Sequence, residues 1–163
     1  MLAVIAFVGC DEDATSSKED KGAKRIPQPS DTRYTQEAAL DIFATQPERA
    51  LQIIDSAEIV GNMSDFRADL LRAKVYAQTH SAMNYDSAIL IGERLMRLDS
   101  VAANADLQED VLEILLNACR MGKDYEQALH WAIQLGNLYR GQGEETEALC
   151  TDAEIGTFLI RIG

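Results

Sequence analysis

Few residues in this chain could hold a metal, stop a helix or stack on a base. Its 163 residues include 2 histidines, 3 cysteines and 3 prolines, and aromatics make up 6%. There is no His-Glu-x-x-His, no paired Cys-x-x-Cys and no other compact ligand set, so neither a metal nor a cofactor is expected. Gly141-Gln142-Gly143 lacks the third glycine of a dinucleotide fingerprint and the lysine of a P-loop, and reads as a turn between helices. No serine sits in a nucleophile elbow, and neither Cys119 nor Cys150 has a base beside it in sequence. Catalysis is not expected. Positive charge is also scarce: 15 basic against 27 acidic residues leave a net charge of -12. Such a surface repels a phosphate backbone, so nucleic acid is not an expected partner.

What is plentiful favours helix. Hydrophobic residues make up 47% of the chain, enough for one core without staples, and Ala, Leu, Glu, Arg and Gln are common. The sequence predicts an all-α fold. Tyr85, Ala88, Gly92 and Leu95 are answered at identical spacing by Tyr125, Ala128, Ala132 and Leu135. An aromatic, small, small, large series at helical spacing suits stacked helices, because small residues admit a neighbouring backbone and large ones fill the gap. Ala50 extends the series backwards at about 40 residues, the length of one helical hairpin.

The predicted elements follow from this period. A short helix spans Gln36 to Ala44, and a second, entered through Gln46-Pro47, presents Ala50, Ile54 and Ala57. The next pair opens at the cap Ser64-Asp65, runs through Phe66, Leu70, Ala73, Tyr76 and Ala77, loops near His80 and Asn84, and returns from Tyr85 to Leu98. A third pair starts near Asp106, uses Val111, Ile114, Leu115 and Ala118, turns at Gly122 and returns from Tyr125 to Tyr139. The last helix leaves Ile155, Leu159 and Ile162 uncovered. Solenoids end in polar caps, so these three are candidate interface residues, toward a partner, a second copy or more of a longer protein.

The pairs Glu109-Asp110 and Glu144-Glu145 resemble an acid–base couple, but first-turn positions at the positive end of a helix dipole explain them more simply. Cys119 and Cys150 fall on successive first helices at different heights, which predicts two buried free thiols. Trp131, Tyr139 and His130 could form an aromatic platform for a sugar, although Trp131 and Tyr139 lie near the apolar face of Ala128, Ala132 and Leu135.

The beginning of the chain is of another kind. Leu2 to Val8 is apolar but far short of the ~20 residues that cross a bilayer, and it ends in Gly9-Cys10. Phe7-Val8-Gly9-Cys10 resembles the lipobox of bacterial lipoproteins, which implies a signal peptide over 1–9, lipidation at Cys10 and anchorage in the cell envelope. Asp11-Glu12-Asp13 resembles both a surface-export and an inner-membrane retention signal, so the two likenesses point to different membranes. Residues 10–32 are polar, without apolar period, and are expected to be a disordered tether.

Residues 33–163 resemble a divergent tetratricopeptide repeat protein. Ile155-Gly156, Leu159 and Gly163 match the family's first-helix spacing, and Tyr125 with Ala128 matches its second-helix entry. The departures are repeats longer than the family's ~34 residues, Arg72 where a large apolar residue is usual, and no closing proline. The resemblance implies a short solenoid of antiparallel hairpins whose first helices line a concave face. Carried over, that face is Arg67, Lys74 and Gln78, then Leu112, Leu116 and Arg120, then Arg161. It implies a partly basic groove for an acidic peptide or carboxylate. Residues 50–70 and 125–163 also resemble extracytoplasmic regions of envelope histidine kinases. The expected function is a non-catalytic interaction or sensory-input module of the bacterial envelope, as the extracytoplasmic segment of a two-component sensor kinase. A free-standing lipoprotein adaptor is the alternative, and a glycan-binding outer-membrane lipoprotein a weaker one.

Overall fold

A computed structural model describes residues 34–163 other than His80. The signal peptide, Cys10 and the tether to residue 32 therefore lie outside the described residues, as does His80. The described residues are all-helical, with no strand: α1 (Gln36–Leu40), α2 (Pro47–Ile59), α3 (Asp65–Gln78), α4 (Ala82–Met96), α5 (Asp99–Ala102), α6 (Ala105–Gly122), α7 (Tyr125–Gln142) and α8 (Glu145–Ile162).

Short polar side chains start four of these eight helices by satisfying backbone N–H groups that have no partner inside the helix. Thr35 Oγ1 accepts from the Ala38 N–H, Ser64 Oγ from Arg67, Asn104 Oδ1 from Leu107 and Asp124 Oδ1 from Gln127. Pro47 occupies the first turn of α2, where its missing N–H costs nothing. Proline also disfavours helix at the residue before it, which keeps Gln46 outside α2; α1 stops at Leu40, and the chain turns through Thr45 instead of continuing as helix to Ala44.

Consecutive helices pack on one another: α1 on α2, α2 on α3, α3 on α4, α6 on α7, and α7 on α8. α6 also packs across both α3 and α4. Two-residue connections such as Lys123-Asp124 and Gly143-Glu144 force a reversal, so these neighbours run antiparallel. The spacing that separates the caps Ser64, Asn104 and Glu144 also separates Tyr85 from Tyr125, so the period seen in the sequence is carried by α3, α6 and α8 and by α4 and α7.

Three buried clusters result. One joins α1, α2 and α3 through Ala39, Ala50, Ile54, Ala57, Leu71 and Val75. The second sets Leu70, Ala73 and Ala77 of α3 with Tyr85, Ala88 and Leu95 of α4 against Val111, Ile114, Leu115 and Ala118 of α6. The third joins Leu112, Leu116 and Cys119 of α6 to Ala128, Ala132, Leu135 and Tyr139 of α7 and to Ala148 and Phe158 of α8. Gly92 is needed for the second: a Cβ there would lie 2.7 Å from Leu115 Cδ2 and 2.8 Å from its Cγ. Arg72 is accommodated by charge. Its guanidinium donates to Asp55 at 2.7 Å and to Glu58, with Asp69 at 3.5 Å, and Asp69 in turn pairs with Arg94, so ion pairs link α2, α3 and α4. Burial opposes the charge on Arg72, but the hydrogen bonds to Glu58 and Asp55 outweigh it and raise its pKa.

Several expectations need correction. α4 begins at Ala82 rather than Tyr85 and ends at Met96; Leu98 is extended, and the one-turn α5 that follows buries Val101. Gly122 is the last residue of α6, and the left-handed turn position is Lys123, at φ 64°. Glu109 and Asp110 lie beyond the first turn of α6, so the helix dipole does not account for them. Cys119 is buried and free as expected, whereas Cys150 is free but exposed.

Candidate functional site

α6 is treated differently by its two neighbours. Toward α3 it is in direct contact, and Asn117 Nδ2 donates to the Ala77 carbonyl at 3.1 Å, tying the two helices together. Toward α8 the backbone stands off: no Cα of α8 comes within 8 Å of one in α6, and α8 packs closely only on α7. The gap is a groove of 510 Å³. Its floor includes Ala77, Ile114, Leu116 and Leu135, and its walls carry Lys74 and Gln78 from α3, Glu113 and Arg120 from α6, and Glu147, Cys150 and Glu154 from α8.

The sequence explains why the gap exists. At the positions of α6 that repeat Leu70, Ala73 and Ala77 of α3 stand Asp110, Glu113 and Asn117. Small and apolar side chains let α6 close on α3; two carboxylates and an amide do not offer α8 the same apolar surface. The third buried cluster still fixes α8, because Ala148, Thr151 and Phe158 face α7.

Most of the groove's charges are already paired. Arg120 Nη1 donates to Glu154 Oε1 at 3.1 Å across the gap, and its Nη2 donates to Asn117 Oδ1 at 2.8 Å. Lys74 Nζ lies 4.0 Å from Asp110 Oδ1. The Tyr139 hydroxyl, rising from α7, donates to Glu109 Oε1 at 3.2 Å with Glu113 Oε1 at 3.5 Å. Glu147 has no side-chain partner among the described residues. Loss of hydration between α3 and α7 and then the charge of Glu109 raise the Glu113 pKa, while Lys74 and the Tyr139 hydroxyl pull the other way. Burial, followed by the charges of Glu113 and Glu109, raises the Tyr139 pKa, so its proton stays in place. Burial also pushes the Cys119 thiol up to about 12, leaving it a poor nucleophile.

The proposed concave-face residues separate into two sets. Lys74, Gln78, Leu116 and Arg120 line the groove. Arg67 instead donates to Gln36 Oε1 at 2.7 Å between α3 and α1; Leu112 is buried in the α6–α8 cluster; and Arg161 sits over the Tyr125 ring, 5.2 Å from its centre, donating to its hydroxyl at 3.2 Å. The acidic side of the groove was missed because Glu113, Glu147 and Glu154 look like ordinary solvated helix residues until α6 and α8 are laid side by side. The α8 trio also divides: Ile155 packs against the third cluster, while Leu159 and Ile162 are exposed at 54% and 43%. Ile160 and Leu149 are more exposed, at 83% and 69%, and share an outward face of α8 with Ala153 and Gly156. Trp131 packs against two clusters, with the His130 ring edge-on at 4.7 Å, and the Tyr139 hydroxyl is occupied by carboxylates.

Among the described residues, no group of three or more His, Cys, Asp or Glu could hold a metal, and no helix is long and apolar enough to cross a membrane. No protein-family model, curated protein or solved structure matches the chain.

Proposed function

We propose that this chain is a non-catalytic protein-interaction module, a short tetratricopeptide-like stack that receives a segment of a protein partner in the groove between α6 and α8. The groove carries this reading: it combines an apolar floor with polar walls, and it lies where stacked hairpins leave their first helices exposed. The common spacing of the α3, α6 and α8 caps supports the stack. The lipobox-like Phe7-Val8-Gly9-Cys10 supports anchorage in the bacterial envelope, and the likeness of 50–70 and 125–163 to envelope kinases supports a sensory-input role.

A groove-filling variant tests the docking role. Cys150→Trp adds bulk at an exposed wall position without touching a buried cluster. Heptapeptides selected from a random library on the wild-type protein should lose binding to this variant while its helical circular dichroism is unchanged. Peptides that bind both proteins equally would place recognition elsewhere. Anchorage is tested separately, by incorporation of an alkyne fatty acid into the full chain and its loss in Cys10→Ser.

A further inference from the structure

We infer that the occupant of this groove carries lysine or arginine side chains among apolar ones, the opposite of the acidic ligand that the resemblance to tetratricopeptide repeats suggests; this rests on the docking role proposed above. The two cations on which an acidic ligand would depend are already committed. Arg120 holds Glu154 and Asn117, and Lys74 faces Asp110. To bind a carboxylate, Arg120 would have to release Glu154 into a groove that already contains Glu113 and Glu147. Carboxylates, by contrast, are in surplus. Glu113 shares Lys74 with Asp110 and its one hydrogen bond is the long contact from Tyr139, and Glu147 has no side-chain partner among the described residues.

Glu109, Asp110 and Glu113 lie within about one turn of α6, with Lys74 as the nearby cation. A guanidinium or ammonium entering between α6 and α8 would neutralise like charges that now repel one another, while its alkyl stem and apolar neighbours covered Ile114, Leu116 and Leu135. The net charge of -12 acts in the same direction at longer range, drawing a basic segment in and slowing an acidic one.

Fluorescein-labelled Leu-Lys-Leu-Lys-Leu-Lys and its Glu counterpart, titrated by anisotropy against the full chain, read the sign of this preference. The lysine peptide should bind more tightly by about tenfold or more, with the difference shrinking at high salt. Glu113→Gln with Glu147→Gln should weaken the lysine peptide by about fivefold or more and leave helicity unchanged. Equal binding of both peptides, preference for the Glu peptide, or indifference to the two Gln substitutions would overturn the inference. The Cys150→Trp variant separates this from failure of the docking role. If the wild type binds both peptides equally and Cys150→Trp abolishes both, the groove docks a partner but does not select basic ones; if Cys150→Trp affects neither, the groove is not the site and the inference fails with the reading it rests on.

Discussion

On one side of α6, Leu70, Ala73 and Ala77 of α3 close against Val111, Ile114 and Ala118, and Asn117 crosses to the Ala77 carbonyl. On the other side, one repeat later, α8 stands off and the space between them is bridged by the long side chains of Arg120 and Glu154. The same helix register therefore serves two ends. Apolar and small residues at three positions make core; Asp110, Glu113 and Asn117 stand at the equivalent positions, and the last two line the groove. A stack of helices can open a groove in this way without changing its helices, by changing what three successive turns present to the next one.

The most severe way to break the contrast is through its matched core residues. Leu115 of α6 is fully buried, whereas Ile155, its counterpart in α8, is only half-buried. Leu115→Ala should cost about 3 kcal/mol of stability, from lost transfer energy plus the cavity left behind. Ile155→Ala should cost about 1 to 2 kcal/mol, since less of its area leaves water. Urea denaturation of the two variants compares them directly, and equal losses would mean that α8 is packed as tightly as α6.

Next in size is Gly92. In most helices glycine to alanine gains about 1 kcal/mol, but here the new methyl meets Leu115 at 2.7 Å, and the surrounding cluster leaves that leucine little room to move. Gly92→Ala should therefore destabilise by about 1 to 3 kcal/mol, whereas Gly156→Ala, on the open face of α8 with nothing within 4 Å, should be neutral or stabilising. In the double variant Gly92→Ala with Leu115→Ala the two losses should add to less than their sum, because the methyl enters the space that the leucine vacates.

The closed side was far more legible in the sequence than the open one. Ala50, Ala88, Tyr85 and Ala128 obey the helical period and are buried as their type suggests, and Ser64 makes the cap bond its type suggests. Arg72 breaks the period, and nothing local showed that Asp55 and Glu58 of α2 would meet it. The groove was half legible. Lys74, Gln78, Leu116 and Arg120 were found because a first-helix offset places them there, but the offset treats every repeat alike and so also selected the buried Leu112 and the Tyr125-bound Arg161. Whether α8 closes on α6 depends on distant side chains and not on any local pattern. The same holds for Cys150, whose exposure follows from that gap.

The two thiols offer a chemical version of the comparison. Cys119 lies in the core with its pKa near 12, and Cys150 lines the groove. In a Cys10→Ser background at pH 7.5, a maleimide should modify Cys150 and spare Cys119 until the protein is unfolded in urea, because both access and thiolate are denied to the buried residue. Mass spectrometry of the native protein should show one adduct, on the peptide containing Cys150. Labelling of both thiols at similar rates would mean that the α6–α7–α8 cluster opens readily.

The smallest effect is the dependence on pH. The Glu113 pKa in the folded chain stands above its ordinary 4.5, so between the two values the folded state holds a proton that the unfolded state has released. The stability associated with this group is fully present below pH 4.5 and is lost as the pH rises through the folded value. Glu113→Gln cannot ionise and removes that loss. The variant should match the wild type near pH 4 and exceed it slightly in melting temperature at pH 7 and above, with the difference growing through the window between the two pKa values. Tyr139→Phe should enlarge the wild-type loss, because the hydroxyl that favours ionised Glu113 is gone and Glu109 remains beside it. If instead Glu113→Gln is less stable than the wild type at pH 7, the ionised carboxylate supports the fold through Lys74, and the wall of the groove is held by that ion pair and not merely tolerated.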